Sequence, residues 1–498
     1  MSLQSLLAQH LPKSESFKYL YIQSKPTYIK SPINFPKNHK LNGSSIQERP
    51  DTIKIRHFFT LIDKDVIVLG IEVFVYILIY KQQDFIDQFI FVSKCDTTGL
   101  KKLNGYRVSG IVELVLLYIV NYDIRRYRIK VRQNKHQQEE HQEEEEKHKV
   151  KQGNGYVNET VALIDKLQTK LSTNPNHYNI LPYYGSNNFT DSTDSPPRNK
   201  FRNLTHKINT HICLFTKTAP QYMFPNSSKN KYKHLGNGQV LLSWWLKIIE
   251  LICRSNSYTN DGDWSLKKLI IPGSDTFAMR KFIEKLPDWS IGHIFGSTNK
   301  RGSTIEKEEH KQDLAVYNIP LFPDDPKGRF LEHLIVENRY FNVDIDRFYQ
   351  ELGYRQEFRL GDCVGLIGCT KFGKDTTETT ERNNDTTTSD NDDLDAVVVS
   401  IHQYKQFINN VIKLINFDKL IDVEYLVQVQ IPSYFENNVK EMKEFKYGEV
   451  VGLKENSAVK GAGEKRGVDQ SAVDGSNGSG GGMKRTNDLT GLIKRKKR

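Results

Sequence analysis

The stretch VIVLGIEVFVYILIY, Val66–Tyr80, decides the fold class of this chain. It is dense in β-branched and aromatic residues, which favour strands. A membrane-spanning helix needs about 20 apolar residues and excludes a charge from its centre, whereas this stretch has fifteen residues with Glu72 near its middle. The stretch therefore predicts one or two central strands buried on both faces, and we expect no membrane association.

Strand-like sequence continues on both sides of this stretch. IKIRHFFTLI precedes it and FIDQFIFVS follows it, so residues 51–92 form a strand-rich block. The turn Cys95-Asp-Thr-Thr-Gly99 comes next, and the spacing of apolar residues from Val108 predicts a helix of about twelve residues. The passage contains neither GxGxxG nor GxxxxGK[ST], which argues against a dinucleotide fingerprint and a P-loop.

Later segments complete a mixed α/β pattern. Residues 211–253 predict a strand, a polar loop, a glycine turn and a helix that carries Trp244 and Trp245. The tandem tryptophans cannot both face one way on a helix, so we expect one to pack inward. We predict helices near 2–10, 160–171, 275–286, 329–352, 401–417 and 419–430, and a strand at 357–367.

Composition separates an ordered domain from polar segments. Only 37% of the 498 residues are hydrophobic, so part of the chain is expected to be disordered. We predict a domain over 1–435 with disordered insertions at about 133–155, 185–199 and 374–395, and a disordered basic tail over 455–498. Seven Lys or Arg and one Asp fall in 484–498, more than half of the net charge of +11.

Cysteine usage indicates a reducing compartment. The count of five is odd and no CxxC pair occurs, which excludes a zinc finger, and no signal peptide opens the chain. We expect no metal. The two basic clusters of the tail, separated by eight residues, are typical of a bipartite nuclear import signal.

The segment DLAVYNIPLFPDDPKGRF, residues 313–330, carries the most chemistry. Its first half alternates apolar and polar residues and predicts a buried strand. Pro323 and Pro326 then hold Asp324 and Asp325 in a stiff turn. Adjacent carboxylates beside cations indicate a proton-handling site. The alternative is an exposed proline turn in which one Asp caps a helix.

Two further segments are candidates for binding a phosphorylated ligand. After the strand at 85–92, Arg107 and Ser109 lie near a helix start that suits a pyrophosphate, although many such turns only cap a helix. KNKYKHLGNG, residues 229–238, places Lys233 before Gly236 and Gly238 and could hold coenzyme A. The alternative for this segment is a flexible basic surface loop.

Three ordered segments carry a family resemblance. QFIFVSKCDTTGL, ICLFTKTAPQYMFPNSSKNKYKHLGNG followed by two tryptophans, and LAVYNIPLFPDDPKGRF resemble hallmark segments of the fungal "regulator of Ty transposition" histone acetyltransferases. The resemblance extends from residue 1 to about 430. It implies a central mixed β-sheet surrounded by helices, and transfer of acetyl from acetyl-CoA to histone H3, chiefly to a core-proximal lysine of its N-terminal helix.

The resemblance also implies site residues by position. Asp325 would accept the proton, with Asp324, Tyr222 and Trp245 lining a lysine channel, and Lys327 would be autoacetylated. The cofactor residues would be Cys95, Asp96, Thr97, Arg107, Val108, Ser109, Gly110, Ile111, Phe215, Ala219, His234, Leu235, Gly236 and Trp244. Ile111 and Gly236 depart from the family pattern, so backbone contacts alone are expected there.

The residue chemistry favours direct attack over an acetyl-enzyme, because no cysteine or serine is placed as an obvious acetyl carrier. The implied partners are histone H3 with H4 and histone chaperones of the nucleosome-assembly-protein and anti-silencing types. We expect nuclear localisation, roles in DNA replication and the DNA damage response, and no sequence-specific nucleic-acid binding. The alternative function is a histone-binding scaffold with a transferase fold that is inactive.

Overall fold

The structure, a computed structural model, describes residues 2–35, 49–80, 85–127, 130–131, 179–180, 207–255, 263–296, 314–355, 358, 363–373, 396–440 and 442–455. The predicted insertions at 133–155, 185–199 and 374–395 lie outside these ranges. So do the predicted helix at 160–171 and residues 456–498 of the tail.

The described strands are β1 Ser16–Ser24, β2 Thr27–Ile29, β3 Asp51–Asp63, β4 Val66–Tyr80, β5 Phe85–Thr97, β6 Lys130–Val131, β7 Asn179–Ile180, β8 Ile208–Thr216, β9 Trp264–Ile270, β10 Ser290–Ile291, β11 Gly365–Lys371, β12 Val397–Val399 and β13 Gly448–Val451. Eleven of these described strands form one sheet in the order β10-β9-β11-β8-β5-β4-β3-β1-β12, with β2 on β3 and β13 on β1. β5 pairs parallel with β8, and most other neighbours are antiparallel. The predicted mixed sheet is confirmed.

The described α-helices are α1 Leu3–Ala8, α2 Val108–Val120, α3 Gly238–Ser255, α4 Thr276–Ile283, α5 Ala315–Asn318, α6 Pro326–Val336, α7 Ile345–Leu352, α8 Ile401–Gln406, α9 Leu420–Tyr425 and α10 Ile431–Asn438. π-helical turns at Phe407–Ile412 and Leu426–Gln430 extend α8 and join α9 to α10. Polar side chains begin several helices, such as Ser2 on α1 and Asp344 on α7, because they accept the first free backbone N–H groups.

Strand β4 is buried on both faces, as its apolar sequence predicts. Ile71, Val73 and Val75 join the core beneath α1, α2 and α3. Phe74 and Tyr76 alternate with them and pack on the opposite face around Phe322. Among the described residues, no helix is long and apolar enough to cross a membrane.

Two predicted strands differ from the structure. The alternating residues before the proline turn form the short helix α5, in which Ala315 and Val316 pack in one cluster with residues of α6 and α7. Ile319, directly after α5, joins the same cluster. A period of two and a period of 3.6 cannot be told apart over so short a run, which is why the strand prediction was wrong. The strand predicted at 357–367 lies further along the chain, as β11. The sequence pattern did not predict β13.

Candidate functional site

A cleft of about 700 Å³ opens where β5 and β8 separate. The two parallel strands pair from Ile86 with Ile208 to Val92 with Leu214, and their pairing stops there. β5 then follows β4 to Thr97, whereas β8 follows β11 to Thr216. The carboxyl ends of parallel strands are a common place for ligands, and beyond this point β5 and β8 no longer pair with each other.

Three parts of the chain build the walls of this cleft. The end of β5 forms one side, and residues 217–241, which lead into α3, form the second. The turn before α6 closes the third side. The lining of the cleft includes apolar side chains such as Val92, Leu214 and Trp245. It also carries cationic side chains from several parts of the chain: Lys94, Lys101, Lys217, Lys233 and Arg329. An elongated ligand with an apolar body and anionic groups fits such a cleft.

Asp96 fastens the second wall to the end of β5. Its carboxylate is buried and accepts the backbone N–H groups of Tyr222 and Met223 at 2.8 and 3.0 Å. Lys233 Nζ lies 2.5 Å from the same carboxylate and 2.7 Å from the Thr97 carbonyl oxygen. The ammonium group of Lys233 therefore serves inside the protein. His234 and Gly236 of the same segment line the cleft, so binding of coenzyme A by this segment stays a prediction.

A β-bulge re-aims the side chains of β5 at the cleft. Glu72 faces Lys94 and the next residue of β4 already faces Val92, so Ser93 is the extra residue. Glu72 is buried and accepts hydrogen bonds from Ser93 Oγ at 3.3 Å and from the Tyr404 hydroxyl at 3.0 Å. Bulges commonly redirect a side chain beside a functional site.

The bulge brings Lys94 to the proline turn. Phe89 and Phe91 face Phe322, whereas Ile90 and Val92 face the opposite core. Strict alternation would place Lys94 with Val92. Instead Lys94 Nζ lies 3.3 Å from Asp324 Oδ2. The sequence contained no signal for this position, since a single inserted residue leaves no pattern.

The two adjacent acids have different environments. Asp325 is buried, caps α6 through the Lys327 backbone N–H at 3.0 Å, and forms an ion pair with Lys327 Nζ. Asp324 has a left-handed φ of 58°, and 75% of its side chain is exposed. Asp324 lines the cleft, whereas Asp325 does not. The capping alternative is thus observed for Asp325, but in a buried position rather than an exposed turn.

Aromatic side chains line the same cleft as Asp324. Trp245 is buried and Trp244 is half-buried, with ring centroids 4.8 Å apart at 79°. Tyr222 is 39% exposed, and its hydroxyl donates to the Lys217 carbonyl oxygen. One tryptophan does pack inward, as expected, and both line the cleft. Such walls exclude water from a side chain that enters.

Cys95 also lines the cleft but is poorly suited to nucleophilic chemistry. Burial raises the pKa of its thiol well above the ordinary value, and the neighbouring Asp96 raises this pKa further. A thiol is reactive as the thiolate. The environment therefore gives Cys95 no activation, in agreement with the predicted direct attack.

The structure gathers most of the predicted site residues and leaves some aside. Lining the cleft are Cys95, Asp96, Thr97, Val108, Phe215, Ala219, Tyr222, His234, Leu235, Gly236, Trp244, Trp245 and Asp324. Arg107, Ser109 and Gly110 start α2 without lining it, and the side chain of Ile111 is fully buried in the core. Within the described residues, no cluster of His, Cys, Asp and Glu is arranged to hold a metal ion.

Comparison with known proteins gives this cleft a context. Residues 3–433 match the model of the histone acetyltransferase KAT11-type domain. The histone acetyltransferase RTT109 of Candida albicans is 42% identical over 425 residues, which cover 85% of this chain and 98% of that protein.

More distant relatives match in part. The histone acetyltransferase rtt109 of Schizosaccharomyces pombe is 29% identical over 166 residues, 32% of this chain and 40% of that protein. The crystal structure of Rtt109 from Aspergillus fumigatus superposes with a TM-score of 0.58 at 18% identity, covering 92% of this chain and 100% of that one. That structure shares the fold.

Proposed function

This chain belongs to the KAT11-type histone acetyltransferase family, and we propose that it acetylates histone H3, chiefly at a core-proximal lysine of the N-terminal helix and also at tail lysines. Acetyl-CoA is the cosubstrate that the family implies. The observation that carries the proposal is the cleft between the separated ends of β5 and β8, which places an apolar, cation-rimmed channel beside Asp324.

The cleft offers a place for each part of acetyl-CoA along its length. The amide groups of the pantetheine arm can bond to the backbone of β5 and β8 beyond Val92 and Leu214, where the strands no longer pair with each other. Lys217 lines the cleft and can meet a phosphate, whereas Lys101, which also lines it, forms an ion pair with Asp63 at 2.7 Å. The thioester then lies toward Trp245 and Asp324.

The reaction must deliver a neutral amine. A lysine with an ordinary pKa of 10.4 costs about 4.6 kcal/mol to deprotonate at pH 7. Tyr222, Trp244 and Trp245 lower this cost by removing water from the ammonium group. The amine then attacks the thioester carbonyl carbon, the carbon–sulfur bond breaks, and CoA leaves with a proton as the free thiol.

The paired acids divide the proton handling. The resemblance assigns the proton acceptor to Asp325, yet that carboxylate is buried and held by Lys327. We propose that Asp324 receives the substrate ammonium group, because it lines the cleft, and that Asp325 accepts the proton only through an intervening water. Autoacetylation of Lys327 stays part of the proposal, and it would release Asp325 from its ion pair.

Acetyl transfer to histone H3 in H3–H4 tests this function directly. We expect radiolabel from acetyl-CoA on H3 with the wild type. Asp325→Asn should transfer at least about tenfold more slowly, and Asp324→Asn should do so at subsaturating H3–H4, because it loses the contact that binds the substrate ammonium group. Asp346→Asn is the matched control, since 89% of that side chain is exposed outside the cleft. A wild-type protein that binds H3–H4 without turnover would instead support the scaffold alternative.

Nuclear work with histone chaperones is the remaining part of the proposal. The basic clusters in 484–498 support nuclear import, and their charge suits an acidic chaperone of the nucleosome-assembly-protein or anti-silencing type. Action in chromatin assembly during replication and DNA damage would follow. Deleting 483–498 and measuring nuclear import and chaperone stimulation separately tests both roles. Unchanged import and unchanged stimulation would reject them.

A further inference from the structure

Each carboxylate of the proline turn has a lysine of its own. Asp325 pairs with Lys327 from the start of α6, and Asp324 pairs with Lys94 from β5 at 3.3 Å. The Lys327 pair is buried and closed off. The Lys94 pair lines the cleft, with 24% of the Lys94 side chain exposed, so an incoming lysine meets this pair.

Lys94 reaches Asp324 only because of the bulge at Ser93. Glu72, fixed by Tyr404 and Ser93, holds the bulge from the buried side. Asp324 is itself held in a left-handed backbone conformation that non-glycine residues rarely adopt. The β-bulge in β5 and the left-handed residue before α6 thus place the two partners of this ion pair, Lys94 and Asp324, beside each other at the cleft.

An unpaired carboxylate at this place would oppose the reaction. It would attract the substrate ammonium group, stabilise the charged form and raise the pKa of the very lysine that must lose a proton. A fixed cation beside the carboxylate cancels much of that attraction. Lysines next to another cation are a known means of obtaining a neutral amine near pH 7.

We propose that Lys94 is a positioning residue for acetyl transfer, whose ammonium neutralises Asp324 so that the bound substrate lysine is released to its neutral, attacking form. The inference rests on the proposed function and deepens it. It does not require Lys94 to contact acetyl-CoA or to exchange a proton with the substrate.

The pH profile of kcat is the decisive measurement. A unit charge about 5 Å away, partly screened by solvent, shifts a pKa by about one unit. In Lys94→Met, the ascending limb of the kcat–pH profile should therefore shift to higher pH by about one unit, so that transfer at pH 7 is about tenfold slower. Near pH 9 its rate should approach that of the wild type. KM for H3–H4 should stay equal or fall, because Asp324 then binds the ammonium more strongly.

Three variants separate charge from structural damage. Lys94→Gln should repeat the shift, and Lys94→Arg should keep the wild-type limb because it keeps the charge. Lys18→Met is the matched control, because Lys18 forms a lysine–aspartate pair with Asp65 at 2.8 Å outside the cleft. A profile of Lys94→Met that overlays the wild type, or a loss that high pH does not restore, would overturn the inference.

Other charged groups lie near Asp324 or line the cleft. Lys54 has a pKa lowered to about 7 by burial and by Arg56, and Asp324 acts on it in the opposite direction. The Lys94 shift should therefore persist in a Lys54→Met background. The remaining charged or titratable groups facing Asp324 or lining the cleft are Cys95, Asp96, Lys101, Lys217, Tyr222, Tyr232, Lys233, His234, Asp325, Lys327 and Arg329.

The same assay separates this inference from the proposed function. If the wild type transfers no acetyl group to H3 at any pH, the proposed function fails. If the wild type is active and both neutral variants share its pH profile, only the role of Lys94 fails.

Discussion

The Asp96–Lys233 pair should hold the second wall of the cleft in place. Both side chains are nearly inaccessible, at 6% and 4% exposure, and their atoms are 2.5 Å apart. Asp96 also accepts backbone N–H groups from Thr97, Tyr222 and Met223. The change Asp96→Asn keeps the size of the side chain but removes the charge and brings an amide donor to face donors.

The expected loss is large because one partner stays buried without its counter-charge. Removing one member of a buried ion pair typically costs about 3–5 kcal/mol, far more than an exposed pair. Lys233 retains the Thr97 carbonyl and Ser227 Oγ, at 2.7 and 2.8 Å, so we expect about 3 kcal/mol. Residues 217–237 should then leave their position, and binding of acetyl-CoA should weaken with them.

Urea unfolding of four proteins measures this coupling. The set is the wild type, Asp96→Asn, Lys233→Met and the double variant, and the expected coupling energy is about 2 kcal/mol or more. A second cycle on Lys18 and Asp65, whose side chains are 41% and 30% exposed, provides the less buried comparison, for which at most about 1 kcal/mol is expected. If Asp96→Asn loses less than about 1 kcal/mol, or the two changes add independently, the Asp96–Lys233 pair does not hold the second wall of the cleft.

Three further predictions concern single residues. Cys95→Ser should keep the rate of acetyl transfer within about threefold of the wild-type rate, because a thiol with a raised pKa does not form the acetyl-enzyme. An acetylated Cys95 in intact mass spectra would contradict this. Burial lowers the pKa of His57 to about 3 from 6.5, so protonation favours the unfolded chain. The free energy of unfolding should therefore fall as pH drops below about 6.5, by about 2 kcal/mol at pH 5. Thermal melts of His57→Gln should lack this loss of stability at low pH. Gly99→Ala should lower the free energy of unfolding in urea by about 2 kcal/mol or more, because Gly99 has φ +66° and a Cβ would lie 2.3 Å from the Lys233 backbone nitrogen. Gly236→Ala, whose Cβ would have its nearest contacts at 3.6 Å, should lower it little. Equal losses would refute the steric argument.

The sequence predicted elements well where one strong pattern acted alone. The apolar run over Val66–Tyr80 could only be buried on both faces, and β4 is. The helix from Val108 followed from apolar spacing over more than three turns. α5 was missed because four residues are too few to show a period.

The candidate site was predictable in its residues more than in its contacts. Ordered segments around Cys95, Tyr222 and Asp324 pointed to one site, and the structure brings them to one cleft. The roles of Lys233 and Lys94 were not predictable. Whether a lysine faces a ligand, a buried acid or an acid in the cleft depends on which strand lies next to it.

The sequence by itself determined the α/β class, the family and the acidic turn, because each is written in local composition or in ordered segments. Only the tertiary structure decided which acid faces the cleft and which lysine neutralises it. Asp324 and Asp325 are neighbours with the same chemistry, so nothing local distinguishes them. A left-handed φ at Asp324, a helix start at Asp325 and one extra residue in β5 separate them, since each is set by packing between segments distant in the chain.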